Sequence, residues 1–254
     1  MPEGALGIWS SMKALLIPVK DLRHAKQRLA PQLSQEDRTG LAQAMFDDFC
    51  AAVKDARRPQ AIFVVSSYEP AIERARANGW EVVMEEQQQS ESASVDFASR
   101  LCAERGVASL ARVPIDLPLI SGQDIDALFA AASGDDEARA QASMVIVPSR
   151  CGTGTNALLR TPPTLFRSHF GPDSFPKHLA EAKNCGAHIA ILRNERLELD
   201  VDDWDDLRAL ASRTNLPKHT LAWLKAAGID AKIGDAISQK TGLIGRDKRF
   251  AASV

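Results

Sequence analysis

The chain has 254 residues, 45% of them hydrophobic and 25% charged, a composition that supports one large globular domain without disulfide or metal staples. Its formal net charge of -2 argues against a polyanion-coating surface, so nucleic acid is not expected as a partner, although a local basic pocket is still allowed. Cys50, Cys102, Cys151 and Cys185 show no zinc or redox spacing, no apolar run reaches the ~20 residues of a membrane helix, and residues 1–11 lack the pattern of a secretory leader; a cytoplasmic protein without a membrane partner is expected.

Residues 1–11 read as a tail ahead of Met12, which is also an alternative start. The short apolar run at 13–19, closing at Pro18, predicts a buried strand. Lys20, Arg23, Lys26 and Arg28 follow it at once. Cations directly behind a buried strand suit a polyphosphate; a solvated basic helix face explains the same charges. The segment has neither the glycines of a Walker loop nor those of a dinucleotide fingerprint. Ser34 and Asp37 have the form of a capping box, and Leu41, Met45, Phe49 and Val53 recur at helical spacing, which predicts a helix over 35–56. A second strand at 61–65, a helix at 70–78 stopped by Gly79, a third strand at 81–84 and a helix at 91–105 stopped by Gly106 complete the first half.

The fourth strand, 107–115, runs into Asp116-Leu117-Pro118-Leu119. A carboxylate at a strand end is placed to hold a divalent metal; a simple turn aspartate is the alternative. Ser121 and Asp124 open the next helix with a second capping box. Residues 142–147 and 155–159 read as strands joined through Gly152-Thr153-Gly154, whose hydroxyls and amides suit a phosphate or carboxylate. The loop 170–175 leads into a helix at 176–185, whose N-terminus attracts anions; His178 on that helix reads as structural. Short strands are expected at 188–192 and 197–199. Asp200 and Asp202, two apart on an extended backbone, point the same way and can share Mg(II); an acidic first turn of the helix at 203–213, with Asp203 as its cap, is the other reading. A helix at 217–227 and a polar tail over 229–254 end the chain.

Strands alternating with helices predict an α/β fold with a mostly parallel central sheet and helices on both faces. Ligands of such sheets sit at the carboxyl ends of the strands, so Lys20, Ser66, Asp116 and Pro148 are expected along one edge.

The segments PVKDLRHAKQRLAP, IDLPL, GTGTNALL, HFGPDSFPKH and LELDVDDWDDL, in this order over about residues 12–228, resemble the guanylyltransferases of deazaflavin coenzyme F-420 biosynthesis, which include 2-phospho-L-lactate guanylyltransferase and phosphoenolpyruvate-using relatives. The resemblance implies a GT-A-like nucleotidyltransferase domain over 12–228 that joins GMP from GTP to the phosphate of a three-carbon phospho acid and releases pyrophosphate. It implies Mg(II) held by Asp116, Asp200 and Asp202, triphosphate contacts from Lys20, Lys26 and Arg28, and acceptor contacts from Thr155, Gly171 and Ser174. Asp116 and the three cations form its catalytic set. The chain departs from the family after the third strand, where relatives carry a Gly-Leu-Asn helix start and this sequence has Gln87 to Ser94. Ser90, Ser92 and Ser94 are candidates there for nucleotide or acceptor recognition, as of the extra hydroxyl of 3-phospho-D-glycerate, with helix capping the alternative. A downstream transferase of the same pathway and a second copy of the chain stay open as partners. Another GT-A-like nucleotidyl- or glycosyltransferase, and a non-catalytic nucleotide-binding protein, are the competing readings.

Overall fold

Successive side chains of β1 (Met12–Pro18) enter opposite cores: Leu15 and Ile17 on one side, Ala14 and Leu16 on the other. A strand buried on both faces belongs in the middle of a sheet. The computed structural model describes residues 12–87, 89–132, 142–229 and 231–233. Its further strands are β2 (Ala61–Ser66), β3 (Glu81–Met84), β4 (Val107–Arg112), β5 (Ser143–Pro148), β6 (Thr155–Thr161) and β7 (His188–Ile191). They form one sheet of order β3-β2-β1-β4-β6-β5-β7. Strands β1 to β4 run parallel, β6 is antiparallel to both β4 and β5, and β7 is parallel to β5. The mostly parallel sheet expected from the alternation is therefore present, with β6 reversed inside it.

The helices are α1 (Gln35–Asp55), α2 (Glu69–Ala77), α3 (Glu91–Glu104), α4 (Gly122–Ala131), α5 (Ser174–Asn184), α6 (Glu195–Glu198), α7 (Trp204–Ala211) and α8 (Lys218–Ala226). On one face α1, α2 and α4 bring Phe46, Phe49, Ala71 and Phe129 onto Leu15, Ile17 and Val145. On the other, α3 packs Val95, Ala98 and Cys102 onto Leu16 and Leu110, while Ala182 of α5 meets Met144 and Leu158. A further core, with Leu41, Met45, Leu207, Leu210 and Leu224, joins α7 and α8 to the outer side of α1, and Ile229 is buried in it.

The helix starts follow local chemistry. Ser34 caps α1, and reciprocal capping boxes pair Ser121 with Asp124 and Asp203 with Asp206. The cap of α8 comes from elsewhere: Asp48 of α1 accepts the amides of His219 at 3.0 Å and Thr220 at 2.7 Å.

Three expectations change. Residues 197–199 are not a strand, because Asn194 accepts the amides of Arg196 and Leu197 and starts the helical turn α6, which Arg196 pins to Asp124 at 2.6 Å. Alternation over three residues does not separate helix from strand. The fourth strand ends at Arg112 rather than residue 115, since only Val113 continues its bonding, to Leu16, before Pro114. Helix α5 starts at Ser174, two residues ahead of Pro176. The tail at 1–11 and residues 234–254 of the other tail lie outside the described residues. Among the described residues no helix is long and apolar enough to cross a membrane.

Candidate active site

Because β1, β2, β4 and β5 point the same way, their carboxyl ends share one edge of the sheet. A cleft of about 1020 Å³ opens there. That is at the top of the ~300–1,000 Å³ range of small-molecule sites and leaves room for two substrates. Lys20 and Asp116 line it as expected, but Ser66 and Pro148 do not. Ser66 is buried; its hydroxyl donates to the Val19 carbonyl at 2.7 Å and accepts the Tyr68 amide at 2.9 Å, tying the ends of β1 and β2 together.

The acidic wall is assembled by one backbone bond. The Val201 amide donates to the Asp116 carbonyl at 3.2 Å, which sets Asp116 beside the segment that carries Asp200 and Asp202. All three line the cleft. Lys26 lies between two 3-10 turns, Leu22–His24 and Gln27–Leu29, with a left-handed φ of 55° that non-glycine residues rarely adopt. Its ammonium donates to Asp116 at 2.8 Å and Asp202 at 3.1 Å. Arg28 is exposed, 3.7 Å from Asp202. Asp200 accepts from the Asn156 side chain at 3.2 Å.

Burial alone would lower the proton affinity of Lys26, but Asp116 and Asp202 hold it above the ordinary lysine value. Burial raises Asp116, and Lys26 followed by Arg112 reverses this, leaving it below the usual carboxylate range. Asp200 has no lysine; burial and the charges of Asp116 and Asp202 push it up to about 6. Two of the three carboxylates thus share one buried ammonium, and Asp200 beside them is left short of positive charge. Among the described residues no three His, Cys, Asp or Glu groups enclose a metal by themselves. An oxygen-only donor set with excess negative charge nevertheless fits Mg(II), which takes one or two carboxylates and completes its shell with phosphate oxygens and water.

The cleft is also lined by hydrogen-bond donors. In the turn 149–154 the Gly154 amide donates to the Ser149 hydroxyl at 2.9 Å, and a Cβ at Gly154 would come within 2.8 Å of that oxygen. Thr155, Gly171 and Ser174 all line the cleft. Gly171 has φ 118°, a conformation only glycine adopts freely, and Ser174 is buried at the N-terminus of α5. Thr155 Oγ1 lies 3.0 Å from His178 Nδ1.

Two features escaped the sequence reading. Arg112, ending β4, is buried in the cleft; it donates to the Asn156 carbonyl at 3.1 Å, pairs with Glu91, and lies 4.1 Å over the Phe170 ring. Burial pushes it down to about 10. An arginine closing an otherwise apolar strand was the available signal. Cys151 also lines the cleft, and hydrogen bonds from Ser149 and Thr153 pull its thiol down to about 7.

The serines of the divergent segment face elsewhere. Ser90 caps α3 by accepting the Ala93 amide at 3.1 Å, Ser94 donates to the Ser90 carbonyl at 3.0 Å, and Ser92 accepts the Phe170 amide at 2.8 Å. None of the three lines the cleft, although Glu91 does. Gln88 lies outside the described residues. Arg23 pairs with Asp21 at 2.6 Å and is not part of the cleft wall.

Known proteins resemble this chain in sequence and in fold. The sequence profile of the family described as "Guanylyl transferase CofC like" matches residues 12–242. A phosphoenolpyruvate guanylyltransferase of Roseiflexus castenholzii is 34% identical over 207 residues, which cover 82% of this chain and 90% of that protein. A 2-phospho-L-lactate guanylyltransferase of Methanothermobacter thermautotrophicus is 33% identical over 192 residues, 76% of this chain and 81% of the relative. A solved structure from Desulfovibrio desulfuricans G20, described as a nucleotide-diphospho-sugar transferase, matches with a TM-score of 0.67 at 15% identity, over 88% of this chain and 97% of that one. The expected nucleotidyltransferase-like α/β fold is the fold observed. The chain belongs to the CofC-like guanylyl transferase family and is a nucleotidyltransferase.

Proposed function

We propose that this enzyme transfers GMP from GTP to the phosphate of a three-carbon phospho acid, in the cytoplasm, as a step of deazaflavin coenzyme F-420 biosynthesis. The observation that carries the reading is one cleft lined both by the carboxylates Asp116, Asp200 and Asp202 and by Thr155, Gly171 and Ser174. The acceptor is already an anion, so its phosphate oxygen can attack the α-phosphorus of GTP without a general base. The new P–O bond forms as the bond to the β-phosphate oxygen breaks, and pyrophosphate leaves.

What the protein supplies is position and charge. Lys20 and Arg28, exposed side chains that line the cleft, would contact the triphosphate. Lys26 acts through its hydrogen bonds to Asp116 and Asp202, which hold the two carboxylates in alignment. Gly171, Ser174 and the amides opening α5 receive the acceptor anion. Asp116, Asp200 and Asp202 would hold Mg(II), which when bound neutralises charge on the phosphate oxygens.

The test is a competition in which GTP, Mg(II) and equal phosphoenolpyruvate, 2-phospho-L-lactate and 3-phospho-D-glycerate are supplied, with pyrophosphate and product mass as readouts. Pyrophosphate release with GTP and one of the three acids is expected. Asp116→Ala should fold and lose at least about 100-fold in kcat, several kcal/mol of transition-state stabilisation. GTP binding without pyrophosphate from any acceptor would overturn the reading.

A further inference from the structure

Thr155 Oγ1 is 3.0 Å from His178 Nδ1, and the backbone amide of His169 is 2.8 Å from the other ring nitrogen, Nε2. A backbone amide only donates, so Nε2 is the acceptor and carries no proton. The neutral ring then holds its single proton on Nδ1 and donates it to Thr155. With Oγ1 accepting on that side, the hydroxyl proton of Thr155 must go to some other group. Among the described residues no other hydrogen bond reaches this hydroxyl, and Thr155 lines the cleft.

We propose that His178 is a positioning residue: through its Nδ1 proton it fixes the Thr155 hydroxyl as a donor aimed into the cleft, reserved for an anionic oxygen of the acceptor. The inference rests on the transferase reading above for the identity of that acceptor.

The surroundings leave the imidazole no second arrangement. His178 is fully buried, with Phe170 edge-on at 5.0 Å and Phe166 tilted at 6.1 Å. Burial, then the charges of Arg160, His169 and Arg112, push it down to about 3, so it stays neutral over the working range of pH. A ring flip would set Cδ2 against the hydroxyl and Cε1 against the His169 amide, and both hydrogen bonds would be lost. Residues 169 to 174, which carry Gly171 and Ser174, are thus held by the same imidazole that orients Thr155.

Two measurements test this. In protein labelled with ¹⁵N-histidine, the His178 ring should show the Nδ1-protonated tautomer; the Nε2-protonated form would overturn the proposal without any variant. In steady-state kinetics, Thr155→Val and His178→Leu should each raise the acceptor KM about tenfold, the worth of one hydrogen bond to a charged group, with the GTP KM unchanged. Thr155→Ser should stay near wild type. The double variant should be no worse than Thr155→Val alone; losses that multiply, or an equal rise in the GTP KM, would make the role structural and sink the idea. A wild-type protein inactive with every phospho acid would remove the transferase reading, while the tautomer would still decide this one.

Discussion

Asp200 is the carboxylate of the three that forms no ion pair among the described residues, and its cost is readable as stability. Its folded value of about 6 stands above the ~3.9 of an unfolded aspartate, so the native state binds the extra proton between these limits. Stability of the metal-free protein therefore falls as pH rises through that window. Asp200→Asn should raise stability by on the order of 2 kcal/mol above pH 6, with the gain fading towards pH 4, while activity is lost. Urea unfolding in a chelating buffer at several pH values checks the sign. Asp116, Asp200 and Asp202 could be picked out in the sequence because each follows an element end in a short motif. The partition of Lys26 among them could not, since its neighbours Asp116 and Asp202 are 90 and 176 residues away. Arg112 and the tautomer of His178 were hidden for the same reason: their meaning comes from Glu91, Phe170 and the His169 amide, which only the folded chain brings together.

Element boundaries divide along the same line. The boxes of Ser121 with Asp124 and Asp203 with Asp206 are local, and the helices α4 and α7 start where those residues say. The start of α8 depends on Asp48, 171 and 172 residues away. Asp48→Ala strips two amides of their acceptor and should cost roughly 1–2 kcal/mol, lowering the urea midpoint without changing kcat, because neither Asp48 nor any residue of α8 lines the cleft. A fall in kcat at unchanged stability would contradict this. The turn 149–154 shows a signal that was present but not used. So short a connection cannot carry a parallel crossover, and it therefore implies an antiparallel β6.

At the scale of the molecule, the cleft draws on residues near 20, 112–116, 149–156, 170–174 and 200–206. These segments follow different strands and helices, so no part of the chain holds the site alone. Activity and far-ultraviolet circular dichroism should therefore be lost at the same urea midpoint; activity lost clearly earlier would mean that one wall opens on its own. The layered architecture was visible in the alternation of apolar strands with capped helices, because burial on both faces leaves that pattern in composition. Strand order was not, because it is decided by which connections close and pack.

The ammonium of Lys26 also bears on how the enzyme is made. Structural zinc domains do not fold until their metal arrives, because bare ligands repel and nothing else holds them. Here a lysine 2.8 Å from Asp116 and 3.1 Å from Asp202 holds the two carboxylates in the folded chain. If these carboxylates hold Mg(II) as proposed, stripping the metal should silence the enzyme and leave its fold standing.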